Sequence, residues 1–281
     1  MSDRVCKAPV VVIEPPRKRV PLDLKDLWDY RELFATLAAR DLKVRYKQTE
    51  LGIAWAIIQP LFAMVVFSVI FGHFAGFSSR TAGVPYPVFT YVALLPWTYF
   101  AGTLGRTGNS MVASANLITK VYFPRLVIPL SSVVAGLVDL AIAFVVLLGM
   151  MVFYRIIPTW GALLLPLLVL LATLASLGVG LWLAALNVEY RDIGYVIPFL
   201  AQIWMYVTPV AYPASVIPER WQTLYALNPM MGVVQGFRWA LLGGMPFPAF
   251  PLAMSVLFVG LFLVTGLFYF RRMERTFADV V

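Results

Sequence analysis

The sequence predicts an all-α integral membrane protein, and three observations carry that prediction. Of 281 residues, 61% are apolar and only 13% are charged, against roughly 45–50% and about 25% in soluble domains. Mean hydropathy is +0.83. The apolar residues fall in long unbroken runs, without the period-2 alternation of a membrane-spanning barrel. These figures exclude a soluble two-domain enzyme. A single cysteine, Cys6, and a single histidine, His73, leave no material for a disulfide framework or a Cys/His metal centre.

A spanning helix needs about 20 mostly apolar residues. Six runs qualify: 55–74, 86–105, 126–153, 163–186, 196–212 and 251–270. The fifth is the weakest, being short and interrupted by Pro198 and Pro209. The largely polar stretch ahead of the first run shows no cleavable signal pattern. Loop charge then sets the orientation, because Lys and Arg accumulate on the cytoplasmic side. The segment before the first run, the second-to-third loop with Arg106, Lys120 and Arg125, the fourth-to-fifth loop with Arg191, and the tail carry eighteen Lys and Arg. The opposite loops carry four: Arg80, Arg155, Arg220 and Arg238. Both termini are expected in the cytoplasm, and the net charge of +8 is mainly a topology signal, not a nucleic-acid surface.

Residues 1–22, with four prolines and a basic cluster, read as a flexible cytoplasmic tail, and 23–54 as an interface segment leading into the membrane domain at 55–281. Between Leu24 and Lys47, the residues Leu27, Tyr30, Phe34, Leu37 and Ala38 recur at steps of three and four, while Arg40, Lys43 and Lys47 follow another face. This spacing predicts an amphipathic helix. It either lies against anionic headgroups or packs on the protein's own cytoplasmic surface. In the second-to-third loop, residues 113–122 predict a short helix exposing Leu117, Val121 and Ile118. Such an apolar group suits a docking surface, or a loop packed on neighbouring helix ends. Between the last two runs, Asn228-Pro229 separates two helix-like segments within 219–242. Each is too short to cross, so the pair either re-enters the membrane to line an outer mouth or rests flat on the outer surface.

Within the runs, Asp139 is the clear ionisable residue, either a proton-handling group or a hydrogen-bonding one. Repeats and the further carboxylates expected of a proton-coupled transporter are missing from the sequence. So are G-x-S-x-G, H-E-x-x-H and the G-x-x-x-x-G-K-[ST] phosphate loop, so any ATP-driven work needs another polypeptide. Aromatic residues reach 15%. Trp97, Tyr99 and Phe100 cluster in the second run, and Trp204, Tyr206 and Tyr212 in the fifth. Ring faces suit sugar C–H faces, but on residue chemistry alone an interfacial aromatic belt is the stronger reading.

Several stretches carry a family resemblance. Arg45-Tyr46-Lys47-Gln48-Thr49, then Leu51-Gly52, Trp55 and Gln59-Pro60-Leu61, resemble the opening of ABC-2 type export permeases. LLPWTYFAGTL (94–104), LITKVYFPRLVIPLSSVVAGLVDL (117–140), LNVEYRDIGYVIPFLAQIWMYVTPVAYP (186–213) and RWQTLYALNPMMGVVQGFRWALLG (220–243) continue it in order. The match runs from about residue 30 to the end and is similar to the polysaccharide and polyol-phosphate branch, the Wzm-like permeases of O-antigen export. The resemblance implies a homodimer of six-span subunits in a bacterial inner membrane. It also implies two separate P-loop ATPase subunits that hold ATP and Mg, with no cofactor on this chain and a lipid-linked glycan as substrate. Asn116, Leu117, Ile118, Lys120 and Val121 would form the coupling helix, and Tyr30, Phe34, Leu37 and Arg40 the interface helix. Asn228, Pro229, Phe237, Arg238 and Trp239 would belong to the outer gate. The aromatic residues are then expected to face a sugar path. Alternatives are an ABC-2 exporter of a capsular glycan, a teichoic-acid-like polymer, a drug or a lipid, and a non-transporting scaffold.

Overall fold

The computed structural model describes residues 28–47, 52–81, 83–274 and 277. The expected tail, Leu24, Leu27 and the Gln48–Leu51 part of the family motif lie outside the described residues. Every regular element among the described residues is helical. In chain order they are α1 (Arg31–Lys47), α2 (Gly52–Phe67), α3 (Tyr86–Ala113), α4 (Ala115–Ile118), α5 (Val127–Phe153), α6 (Leu165–Glu189), α7 (Ile193–Val207), α8 (Glu219–Ala226), α9 (Pro229–Leu242) and α10 (Ala249–Met273). A wider π-helical stretch, Ser68–Phe74, extends α2, and a 3₁₀ turn at Trp160–Leu164 leads into α6.

Among the described residues, four helical stretches are both long and apolar enough to cross a membrane: Ala54–Phe74, Val127–Phe153, Trp160–Glu189 and Ala249–Met273. The other two expected runs fall short for different reasons. At 28 residues, α3 is about 42 Å long, but it is the central helix and packs on α2, α5, α6, α7 and α9. Nineteen of its residues are buried. A helix surrounded by protein can carry Thr90, Thr103, Thr107, Arg106 and Asn109 without exposing them to lipid, which lowers its hydropathy. In contrast, α7 is apolar but has only 15 residues, because the chain leaves helical geometry at Thr208 ahead of Pro209.

The core divides along the bundle into two clusters. The larger one surrounds the first half of α3, including Phe89, Tyr91, Leu94 and Phe100, with contributions from α5, α6 and α9. The smaller one sits at the other end and joins Leu37 of α1 to Met111, Ile118, Phe123, Leu126, Leu181, Phe270 and Phe277. Two glycines set the closest helix approach. A Cβ on Gly178 of α6 would meet the backbone of Phe262 and Leu263 at 2.8–3.1 Å, and one on Gly266 of α10 would collide with the Gly178 carbonyl. With hydrogen at both positions, the α6 and α10 backbones touch directly.

Candidate functional site

At the end of the molecule holding the smaller cluster, α1 buries Leu37 and Ala38, while Tyr30, Leu33 and Phe34 pack partly against the same cluster. The apolar face of this helix is therefore covered by the protein itself. Arg40 projects outward and pairs with Asp41 at 2.9 Å. The expected short helix is shorter than its sequence pattern, because α4 ends at Ile118. Ile118 is 5% exposed and belongs to the core, so its predicted exposure is corrected. Leu117 is half-buried, whereas Asn116, Lys120 and Val121 are exposed and Tyr122 is 94% exposed. Sequence reasoning missed Tyr122, although its position next to Val121 in an apolar loop was available as a signal. The loop has a firm base. The Arg125 amide donates to Glu274 Oε1 at 3.0 Å, its guanidinium donates to the Glu274 carbonyl, and it lies over the Phe277 ring.

Asp139 lies twelve positions beyond Val127 on α5, about 18 Å along the helix axis. It is the centre of a polar seam. Its Oδ2 pairs with Arg45 of α1 at 2.8 Å and with Arg106 of α3 at 3.6 Å, and its Oδ1 accepts from the Tyr46 hydroxyl at 2.6 Å. Arg106 also donates to Thr103 Oγ1 at 3.0 Å and to the Ser132 carbonyl at 3.3 Å. Gly136, one turn before Asp139, makes room for this, since a Cβ there would run into the Arg106 guanidinium and Thr103. Arg106 was read as a loop charge; it lies inside α3, which runs eight residues beyond the predicted boundary. The Arg45-Tyr46 pair of the family motif thus reaches Asp139 as a structural unit.

The six aromatic residues do not form one surface. Trp97, Tyr99 and Phe100 are at most 3% exposed. Trp97 packs on Phe100, and Phe100 meets Trp204 edge to face at 5.1 Å. The Tyr99 hydroxyl shares a 2.6 Å hydrogen bond with Thr173. Within one subunit these three rings are core, in a helix too crowded to turn them outward. Tyr206 is exposed, and the half-buried Tyr212 donates its hydroxyl to the Tyr206 carbonyl at 2.9 Å.

At the opposite end, α8 and α9 meet at Asn228. Its Oδ1 accepts from the Met230 amide at 3.0 Å and from Trp204 Nε1 at 2.8 Å, and its Nδ2 donates to Thr208 Oγ1 at 2.8 Å. One side chain caps α9, with Pro229 in the first turn, and also ties that helix to the end of α7. Twelve of the fourteen α9 residues are buried, packed on α3, α6 and α10. It is inserted among them and does not lie flat on them, whereas α8 leaves Trp221 and Leu224 exposed. Phe237 is core, and Trp239 meets Trp160 and Phe247 edge to face.

Arg238, expected as an outer loop charge, is 3% exposed. It donates to the carbonyls of Pro209 and Val210, both at 2.7 Å, of Tyr212 at 3.3 Å and of Phe89 at 3.4 Å. Its guanidinium carbon stands 3.7 Å from the Phe89 ring centroid. Tyr86 donates to the Ala211 carbonyl of the same loop. The irregular stretch after α7, which could not satisfy its own carbonyls, is held by a cation from α9.

Long apolar helices packed around a buried central one define a polytopic helical membrane protein. Residues 32–242 match the family model for the ABC-2 type transporter, and the chain belongs to that family. It is 32% identical over 218 residues to the O-antigen export system permease protein RfbA of Myxococcus xanthus, covering 76% of this chain and 82% of that protein. To the RfbA of Klebsiella pneumoniae it is 28% identical over 256 residues, 89% and 95% of the two chains. To the polysialic acid transport protein KpsM of Escherichia coli it is 24% identical over 254 residues, 85% and 92% of the two chains. The chain is a multi-pass membrane transport permease.

Proposed function

We propose that this chain is the permease subunit of an ATP-driven exporter that moves a lipid-linked, O-antigen-like glycan across a bacterial inner membrane. In this reading six spans cross the bilayer, with α3 and α7 counted beside the four long apolar helices, and both termini are cytoplasmic. Two copies form a homodimer, and two separate P-loop ATPase subunits dock at the end carrying α1 and α4. The observation that carries the proposal is the loop at that end. Val121 and Tyr122 expose apolar surface beside Asn116 and Lys120, on a base braced by Arg125, Glu274 and Phe277. A rigidly mounted apolar tip transmits a push, whereas a loose loop would absorb it. Similarity to the RfbA permeases over most of both chains supports the glycan substrate. Resemblance to KpsM keeps a capsular, acidic glycan as the second reading.

The work comes from nucleotide states that contact the docking loop differently, since a conformational equilibrium shifts only by differential binding. α1, tied to α3 and α5 through Asp139, passes the same displacement into the bundle. The buried Trp97, Tyr99 and Phe100 support the wall, and Tyr206 and the neighbouring exposed face of α7 are left to meet sugar rings.

Val121→Glu together with Tyr122→Glu tests the docking claim. Co-purification with the ATPase in mild detergent is expected to fall at least tenfold while thermal stability of the permease stays within about 0.5 kcal/mol, the usual range for exposed substitutions. Full recovery of the ATPase with the double variant would defeat the docking surface. Tyr206→Ala is expected to slow glycan export with assembly intact, measured as surface glycan per permease. Unchanged surface glycan would remove Tyr206 from the path.

A further inference from the structure

Next to the Arg238 knot lies a cavity of about 330 Å³. The buried Arg238 and the exposed Arg80, which ends the 3₁₀ turn Phe77–Arg80 ahead of α3, both line it. The Gln235 amide and the Ser215 hydroxyl supply neutral hydrogen-bonding groups, and Phe89 and Pro213 form apolar wall. Among the described residues, no carboxylate lines this space. Arg238 has no ion-pair partner there either, because its bonds go to neutral backbone carbonyls and its charge faces a ring. Those carbonyls and the ring solvate the cation without neutralising it. A guanidinium carries five N–H groups, and carbonyls take four of Arg238's, one through Nε, two through Nη1 and one through Nη2.

The location sharpens the point. The loop-charge count puts four Lys and Arg residues on the expected outer side, Arg80, Arg155, Arg220 and Arg238, the last of them buried in α9. Two of those four converge on one small cavity. The Arg80 guanidinium and the one N–H of Arg238 not given to a carbonyl, with an amide and a hydroxyl against an aromatic and proline wall, match an anionic group carried on a sugar-sized body. The volume lies near the small end of ligand sites, about 300–1,000 Å³, which suits one ring and not an extended chain. A phospholipid headgroup shares the anionic part of this chemistry but not the compact hydroxylated body that the apolar wall and Gln235 would grip.

We propose that this outer cavity binds a single acidic sugar unit through Arg80 and Arg238. The origin of that unit, the exported glycan, rests on the exporter reading; the binding chemistry does not. The full chain in nanodiscs of neutral phosphatidylcholine would be titrated with glucuronate, glucose and inorganic phosphate by calorimetry. Glucuronate is expected to bind at least tenfold tighter than glucose and than phosphate, and to weaken as salt rises. Arg80→Gln, at an exposed position where folding is not at stake, is expected to weaken glucuronate at least fivefold with glucose unchanged, and Arg80→Lys to restore part of it. Equal binding of glucose and glucuronate, or an unchanged affinity in Arg80→Gln, overturns the site. Phosphate binding as tightly as glucuronate, or loss of the glucuronate signal when phosphatidylglycerol is added to the nanodisc, overturns its assignment to a sugar. The titration needs no ATPase, so a failure of ATPase recruitment at Val121 and Tyr122 and a failure here are read separately.

Discussion

Arg106 and Arg238 are two arginines sunk into the same bundle, and they are stabilised in opposite ways. Arg106 faces Asp139 at 3.6 Å and shares that carboxylate with Arg45 from α1. Arg238 has only backbone carbonyls and the Phe89 ring. The first arrangement uses side chains on three helices, so it can be made and unmade as those helices shift. The second uses fixed backbone groups, three in the loop after α7 and one on α3, so it holds the loop in one shape. The cation nearer α1 sits in a joint, and the one at the far end sits in a clamp.

The clamp is expected to carry the largest effect on stability. Arg238→Met leaves the carbonyls of Pro209 and Val210 buried without donors and is expected to cost about 3–5 kcal/mol, read as a large drop in detergent melting temperature. Arg238→Lys is expected to recover little, because one ammonium cannot span the fork of acceptors. A lysine variant as stable as the parent would erase the contrast. Next comes the joint. Asp139→Asn removes the carboxylate charge that Arg45 and Arg106 share, and because the site is partly wetted its cost is expected nearer 2–3 kcal/mol. Adding Arg45→Gln is expected to cost less than the two single changes summed, so a double-mutant cycle showing strict additivity would break the pairing. The smallest of the three is the cap at the α8–α9 break. Asn228→Ala is expected to lose about 1–2 kcal/mol, and Asn228→Asp to recover the Met230 and Trp204 acceptor but not the donation to Thr208. Equal melting of the alanine and aspartate variants would show that only the donation matters.

How much of this could be read from the sequence depended on whether a residue's neighbours along the chain are also its neighbours in space. The α8–α9 boundary was legible because Asn228-Pro229 breaks a helix locally. α5 was legible because its apolar residues run uninterrupted and its C-terminal end matches the structure at 153. The end of α3 was not, since Arg106 and Asn109 look like loop residues unless Asp139 and Asn187 are known to be waiting for them. Arg238 failed for the same reason. A count of loop charges treats it as solvated, and its four acceptors lie 26 or more positions away. The aromatic cluster in α3 was visible as a composition, but the side each ring faces is set by five packing helices, which no local pattern encodes.

The backbone contact between Gly178 and Gly266 bears on how the bundle can change shape. At this crossing the two helices touch without side chains between them, and sliding one along the other there would drive backbone into backbone. α6 and α10 should therefore travel as one strut. Displacement at the α1 end would be delivered to the elements not welded to it, α2 and α7 above all. A bulky residue at Gly266 would act as a wedge, jamming transport before it lowered the amount of protein in the membrane.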